Sequence, residues 1–214
     1  NFHAFNNNFG KIYCFFSEHN ENNSKCNLLI DVDAIDIVRS DSTLLTDYVN
    51  DRPFASGSIF TAGISRCFRS ALTGNCKDRP ELISEIWPLE IEIATLKSPK
   101  GLKIIHELFE PLGYIVETKS RLFDDNFPEW GESPYFNVKL CGSQTAQALF
   151  QHLFILISVL DNEKHYVIAK QEVEKLLHHS KTWLNKHPLK EFIISRYLKH
   201  LKELKIRKKE IRIF

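Results

Sequence analysis

Ten residues, Phe127-Pro-Glu-Trp-Gly-Glu-Ser-Pro-Tyr-Phe136, constrain the fold of this 214-residue chain more than any other stretch. Pro128 and Pro134 fix φ and lack a backbone donor, so no helix or central strand can run through them. Trp130 and Tyr135 carry too much apolar area to be left in water without a cause, which predicts an ordered, partly buried loop. On each side of this joint the sequence repeats one string: strand, helix, strand. Before it, Leu89-Glu-Ile-Glu-Ile93 alternates as a half-buried strand. Ile104, Ile105, Leu108, Phe109 and Leu112 then recur at helical spacing, and Gly113 ends the helix. Tyr114, Val116, Thr118, Ser120 and Leu122 share one face of a second strand.

Beyond the joint, Phe136, Val138 and Leu140 alternate against Asn137 and Lys139. A helix from about Ser143 to Leu160 is apolar almost all round and therefore buried. His165 to Ala169 reads as a short closing strand. Leu89–Phe123 and Tyr135–Ala169 are each 35 residues long. The fold class predicted is α+β: an N-terminal β-hairpin and helix, a ferredoxin-like βαββαβ repeat, and C-terminal helices. In these terms residues 1–205 form one module, with a hairpin and helix part (1–86), the repeat (87–169) and a helical part (170–205). Residues 206–214 read as a basic linker.

The first dozen residues, rich in Asn and Phe, carry no readable pattern. Ile12, Cys14 and Phe16, then Leu28, Ile30 and Val32, alternate on either side of the polar Ser17–Lys25, which predicts a long-looped hairpin. A helix carries Phe60, Ile64, Cys67, Phe68 and Ala71 on one face, and Gly74 with Asn75 stops it. Asp-Arg-Pro brackets that helix, as Asp51–Pro53 and Asp78–Pro80. Pro pushes the residue before it into extended backbone, where Arg52 and Arg79 could offer a planar fork to a carboxylate or phosphate. The alternative is an internal Asp–Arg clip that fixes each loop. Towards the end, Val173, Leu176, Leu177 and Leu184 define an amphipathic helix, His187-Pro188 breaks it, and Ile194, Leu198 and Leu201 mark a last one.

The eight glycines stand at least six positions apart, so no Gly-x-Gly nucleotide or methyl-donor loop and no Walker A loop can be built. His-Glu-x-x-His and Gly-x-Ser-x-Gly are absent. The five cysteines are odd in number and contain no C-x-x-C, so neither a disulfide frame nor a zinc site is signalled. His178 and His179 would point about a quarter-turn apart on a helix and chelate one ion poorly. Asp31, Asp33 and Asp36 could form a metal or acid-base site at a strand end, where Asp31 and Asp33 would share one face, but no carboxylate or histidine completes that pair at a recognisable spacing. The longest apolar run is too short to span a membrane. No signal peptide opens the chain, and a reducing cytoplasm is the expectation. The net charge of +1 conceals eight Lys/Arg against two Glu from Arg196 to Phe214. That basic end, with Arg207-Lys-Lys209, and a sequence without methionine lead us to expect a fragment of a longer polypeptide.

Seven motifs in one order carry a resemblance: Tyr48-Val-Asn-Asp-Arg-Pro53, Asp78-Arg-Pro-Glu-Leu82, Leu108-Phe-Glu-Pro-Leu-Gly-Tyr114, the Phe127–Phe136 joint, Val159-Leu-Asp161, Lys164-His-Tyr166 and Glu172-Val-Glu-Lys-Leu-Leu177. From about Phe9 to Tyr197 the chain resembles the N-terminal half of the bacterial 3′-terminal RNA ribose 2′-O-methyltransferase, the relative of the plant small-RNA methyltransferase. The resemblance implies no catalytic residue, metal or cofactor in this chain. S-adenosylmethionine and a divalent metal belong to a C-terminal methyltransferase domain outside it. It also implies a partner, the kinase–phosphatase–ligase polypeptide of bacterial RNA repair, whose RNA ligase this half switches on, with cleaved tRNA reached through the complex.

The expected contact residues are Arg52, Arg79, Trp130 and Tyr135, with Glu129 and Lys164 at the rim, because Arg, Trp and Tyr dominate protein interfaces. Each could instead be scaffolding. Two other readings compete. The same βαββαβ order occurs in RNA-recognition domains, but Glu-Ile-Glu-Ile and Asn-Val-Lys-Leu offer no aromatic pair to stack bases. A metal-dependent hydrolase would use Asp31, Asp33 and Asp36.

Overall fold

A computed structural model describes residues 2–7, 10–32, 57–161 and 169–198. Two three-stranded antiparallel sheets are joined through helices, an α+β architecture. The first sheet runs β1 (Phe2–Asn7), β2 (Gly10–His19), β3 (Ser24–Val32) in chain order. Its third strand, β1, comes from the Asn- and Phe-rich start that showed no pattern. The β2–β3 loop is shorter than predicted. Asn20 Oδ1 accepts from the backbone N–H groups of Asn22 (3.0 Å) and Asn23 (2.8 Å), so four residues suffice for the turn.

Helix α1 (Gly57–Cys67) packs on the inner face of that sheet, where Ile12 is fully buried. Contact is close: a Cβ at Gly63 would stand 2.8 Å from Ile30 Cδ1. Phe68 interrupts the helix, stacking on Phe150 at 4.4 Å, and α2 (Arg69–Thr73) ends at Gly74 with φ 65°. The backbone N–H groups of Gly74 and Asn75 close the turn on Ala71 and Ser70, so the Gly-Asn stop signal is the one the chain uses.

The second sheet contains β4 (Ile86–Lys97), β5 (Ile115–Lys119) and β6 (Tyr135–Thr145), ordered β4-β6-β5. First strand beside third, second strand outside: this is the antiparallel order of the split βαββαβ arrangement. Helix α3 (Lys103–Phe109) connects β4 to β5. Helix α4 (Ala146–Asp161) follows β6. The predicted closing strand lies mostly outside the described residues, and its last member, Ala169, instead opens helix α5 (Ala169–Ser180).

Three boundaries differ from the sequence reading. Helix α4 starts at Ala146 rather than Ser143, because Gly142 to Thr145 stay paired with Leu89 to Ile86 and the Thr145 hydroxyl accepts the Ala148 N–H at 3.1 Å as the cap. Leu184 lies in a separate 3₁₀ turn, since α5 closes at Ser180, whose hydroxyl donates back to Leu176 O at 2.6 Å. Strand β5 ends at Lys119, and Leu122 makes an isolated bridge to Glu132. The last described helix, α6 (Lys190–Tyr197), buries Ile193, Ile194 and Tyr197.

Helix α4 is the centre. Twelve of its sixteen residues are buried, and it touches α1, α2, α3, α5, α6, β4 and β6. Its C-terminal end is locked by charge. Asp161 Oδ2 accepts the Gly57 N–H at 2.6 Å, at the positive end of α1, and Lys97 Nζ sits 3.5 Å from Oδ1. Arg196 of α6 donates to Val159 O (2.8 Å) and Leu160 O (3.1 Å), in the last described turn of the helix. We expect Asp161→Ala to lower stability by about 3–5 kcal/mol, the range for breaking a buried pair. Urea denaturation reads this directly; an unchanged midpoint would show that the carboxylate does not hold the two sheets' helices together.

Candidate partner-binding surface

Residues 120–134 extend the β5–β6 hairpin beyond the sheet, and the backbone of this extension is closely hydrogen-bonded. Phe123 N–H donates to Gly131 O (3.1 Å), Ser133 N–H to Arg121 O (2.8 Å), and Trp130 N–H to Phe127 O (3.0 Å). Asp124 Oδ1 accepts from Asn126 N–H at 2.8 Å, an Asx turn. Pro128–Trp130 form a 3₁₀ turn, and Gly131 leaves it at φ 82°, a conformation that favours glycine.

The joint is thus ordered, as its prolines predict, and its second half is partly buried (Ser133 to Tyr135 half-buried, Phe136 buried), but Phe127 to Glu132 are exposed. Trp130 is 60% exposed and Phe127 44%. The tip projects from the core, and the apolar neighbour of Trp130 is Phe127, stacked at 4.6 Å and 12°. Sequence reasoning recognised the aromatic content yet missed Phe127 and Phe123 as surface residues. The Asp-Asp-Asn and Pro-Glu-Trp-Gly turns that frame them were the available signal.

The other expected contact residues distribute unevenly. Glu129 is exposed in the same turn as Trp130. Tyr135, half-buried, opens β6 at the hairpin base, its N–H donating to Ser133 Oγ at 3.2 Å. Arg79 belongs to a different loop, between α2 and β4. Its backbone is extended (φ −139°, ψ 67°), as the following proline requires. Its fork engages Glu81, two residues on, rather than Asp78. That hydrogen bond holds the Glu81 carboxyl below its ordinary range. Both side chains face water (65% and 57% exposed), so this pair is weak. Arg52, Lys164, Asp33 and Asp36 lie outside the described residues.

The open face of the second sheet carries Glu90, Glu92 and Glu117 around Lys139, which pairs with Glu90 at 3.1 Å. Such a face repels phosphate and offers no row of rings for bases. At the first sheet, three thiols converge where β2, β3 and α1 meet. Cys14 Sγ is 3.8 Å from Cys26 Sγ, and burial pushes Cys26 up to about 12 and Cys67 up to about 11, so both stay protonated. Among the described residues, no group of three His, Cys, Asp or Glu is arranged to hold a metal.

A cleft of about 330 Å³ separates β3, α1 and β4, lined by Leu28, Ile30, Phe60, Ile93 and Leu96, with Asp161 also on its wall. Val32, Gly57 and Asp161, all on that wall, border segments 33–56 and 162–168, which lie outside the described residues.

Three histidines, His152, His179 and His187, are core residues. His152 Nδ1 meets Tyr114 Oη at 2.9 Å, and its ring stands edge-on to Trp183. Trp183 in turn contacts His187. His187 Nε2 donates to Leu108 O (3.0 Å) while Nδ1 accepts the Leu189 N–H (3.0 Å), which defines a neutral ring. His179 packs edge-on against Phe154, with its Nδ1 3.3 Å from that of His178. The two adjacent rings approach more closely than a quarter-turn separation suggests. Burial, then the electrostatic cost of a second protonated ring beside His187, push His152 down to about 3. Burial, then His178 and Lys175, push His179 down to about 4. Burial also lowers His187, against the opposing effect of its bond to Leu108.

These features are those of an association module: a rigid scaffold bearing an ordered, exposed aromatic projection. Over residues 1–209 the sequence matches the family described as the RNA repair, ligase-Pnkp-associating, region of Hen1, and the chain belongs to that family. No curated protein matches it. No helix among the described residues is long and apolar enough to cross a membrane.

The buried histidines fix a pH dependence. Their folded-state values lie below the unfolded value of about 6.5, so between these limits the unfolded chain binds more protons. Their contribution is complete above about pH 6.5 and is lost as pH falls towards 4 and then 3. Chemical denaturation from pH 7.5 to 4 should show falling stability, and His152→Phe should flatten that slope. An equal slope in the variant would remove His152 as its origin.

Proposed function

We propose that this chain docks on the ligase of its RNA-repair partner and holds that ligase in the state competent for adenylylation, contributing no reacting group of its own. The family match over residues 1–209 is the observation that carries this reading, because the family's described role is association with the ligase–Pnkp polypeptide. Activation in trans requires the chain to bind the working state of the ligase better than the idle one; equal affinity would shift nothing. A scaffold locked around one buried helix suits that task, since a soft partner would deform instead of selecting.

On this reading the protein works in the cytoplasm on cleaved tRNA held by the complex. The methyl transfer, with S-adenosylmethionine and a divalent metal, belongs to sequence outside this chain. The contact residues proposed are Arg52, Arg79, Trp130 and Tyr135, flanked by Glu129 and Lys164. Arg79 and Trp130 are both exposed, as a contact requires.

Purified ligase should adenylylate faster when the chain is added. Arg79→Ala should lower that stimulation by about fivefold, roughly 1 kcal/mol, without moving the melting temperature. If adding the wild-type chain leaves adenylylation unchanged, activation is wrong even where binding is seen. If Arg79→Ala stimulates normally, its fork serves only Glu81.

A further inference from the structure

Ten large apolar side chains are exposed among the described residues, and four of them, Leu122, Phe123, Phe127 and Trp130, fall within nine positions on one hairpin tip. Exposed apolar residues scattered singly need no explanation; a cluster on a projecting, hydrogen-bonded loop does. The Phe127–Trp130 stack at 4.6 Å presents two flat rings already ordered, so little side-chain freedom remains to be lost on docking. Between Arg121 and Glu132 the same stretch carries Asp124, Asp125, Glu129 and Glu132 against one arginine. This charge decides the occupant. A nucleic-acid phosphate or a second copy of the same acidic tip would be repelled, whereas a protein pocket rimmed with Lys and Arg would be attracted.

We propose that the tip of the β5–β6 hairpin, residues 122–132, is the anchor on the ligase, with Phe127 and Trp130 entering an apolar pocket and the carboxylates facing a basic rim. This rests on the ligase-docking reading above and names the surface that performs it. The two sources of affinity separate by experiment. The rings, once desolvated, govern how long the complex lasts. The carboxylates, which remain at the edge, govern how fast it forms.

The test uses the intact protein and purified ligase partner, with binding kinetics followed at two salt concentrations. Phe127→Ala with Trp130→Ala should weaken binding about 30-fold or more, mostly through faster dissociation. Asp124→Lys with Asp125→Lys should slow association about tenfold at low salt, with the difference shrinking at high salt. Leu29→Ala, on the exposed face of the first sheet, should change neither. Unchanged thermal midpoints verify that each variant is folded. Wild-type-like affinity in the double alanine variant, while the wild type binds, overturns this surface and leaves the association standing. Failure of the wild type itself to bind the ligase overturns the docking reading as well. Loss of RNA binding or of self-association in the variants, with ligase affinity intact, assigns the tip to a different partner and overturns the proposal.

Discussion

Burial of α4 is the constraint on which the rest of the structure depends. A helix that is apolar on every side cannot exist at a surface, so each remaining element is placed by the need to cover one of its faces. Sheet β4-β6-β5 with α3 covers one side, α1 and α2 another, and α5 and α6 the remainder. Fully burying each Leu, Ile or Phe of that helix contributes about 1.5–3 kcal/mol, so the coverage is strongly driven. Coverage alone is non-directional, however. Direction comes from the polar groups at the helix ends: the Thr145 cap fixes where α4 leaves β6, and Asp161 with Arg196 fixes how α1 and α6 meet its far end. Lys97 ties the last residue of β4 to the same point.

That arrangement bears on how the proposed docking would work. A rigid body can select one state of a partner only if its contact groups stay fixed relative to each other. The aromatic tip meets this condition because both strands of its hairpin root in the second sheet, β6 being central and β5 packed beside it. The hydrogen-bonded tip runs directly into β6, which leads through the Thr145 cap into α4.

Much of this was legible in the sequence, and the gaps have physical causes. Alternation in Leu89–Ile93 and Phe136–Leu140 specified two strands because one face of each is buried and the other is wet, and the uniform apolarity of Leu149–Leu160 specified a buried helix. Strand β1 was illegible since Phe2, His3, Ala4, Phe5, Asn6 and Asn7 hold no clear period; its pairing with β2, Asn6 opposite Lys11 and Asn7 opposite Gly10, supplies the order. The start of α4 was misplaced because Ser143 to Thr145 run straight into the helical pattern until β4 is known to extend back to Ile86 and pair with them. The exposure of Trp130 could not be read either. Composition says that a ring seeks cover, but only tertiary structure shows that Phe127 provides it while one face remains in water. His152 and His187 were hidden for the converse reason: each is satisfied by a partner far away in sequence, Tyr114 and Leu108.

Charge placement then limits how the chain can meet RNA. The open face of the second sheet displays Glu90, Glu92 and Glu117, and the hairpin tip adds four more carboxylates. Lys139, already committed to Glu90, does little to offset them. Within a Debye length of about 10 Å these surfaces push phosphate away, and they do so most strongly at the low salt where a basic binder would hold it best. On the reading proposed above, these described surfaces suit gripping the enzyme better than the nucleic acid. The aromatic rings follow the same logic: set among carboxylates, they suit a desolvated protein pocket flanked by cations better than a stacked base.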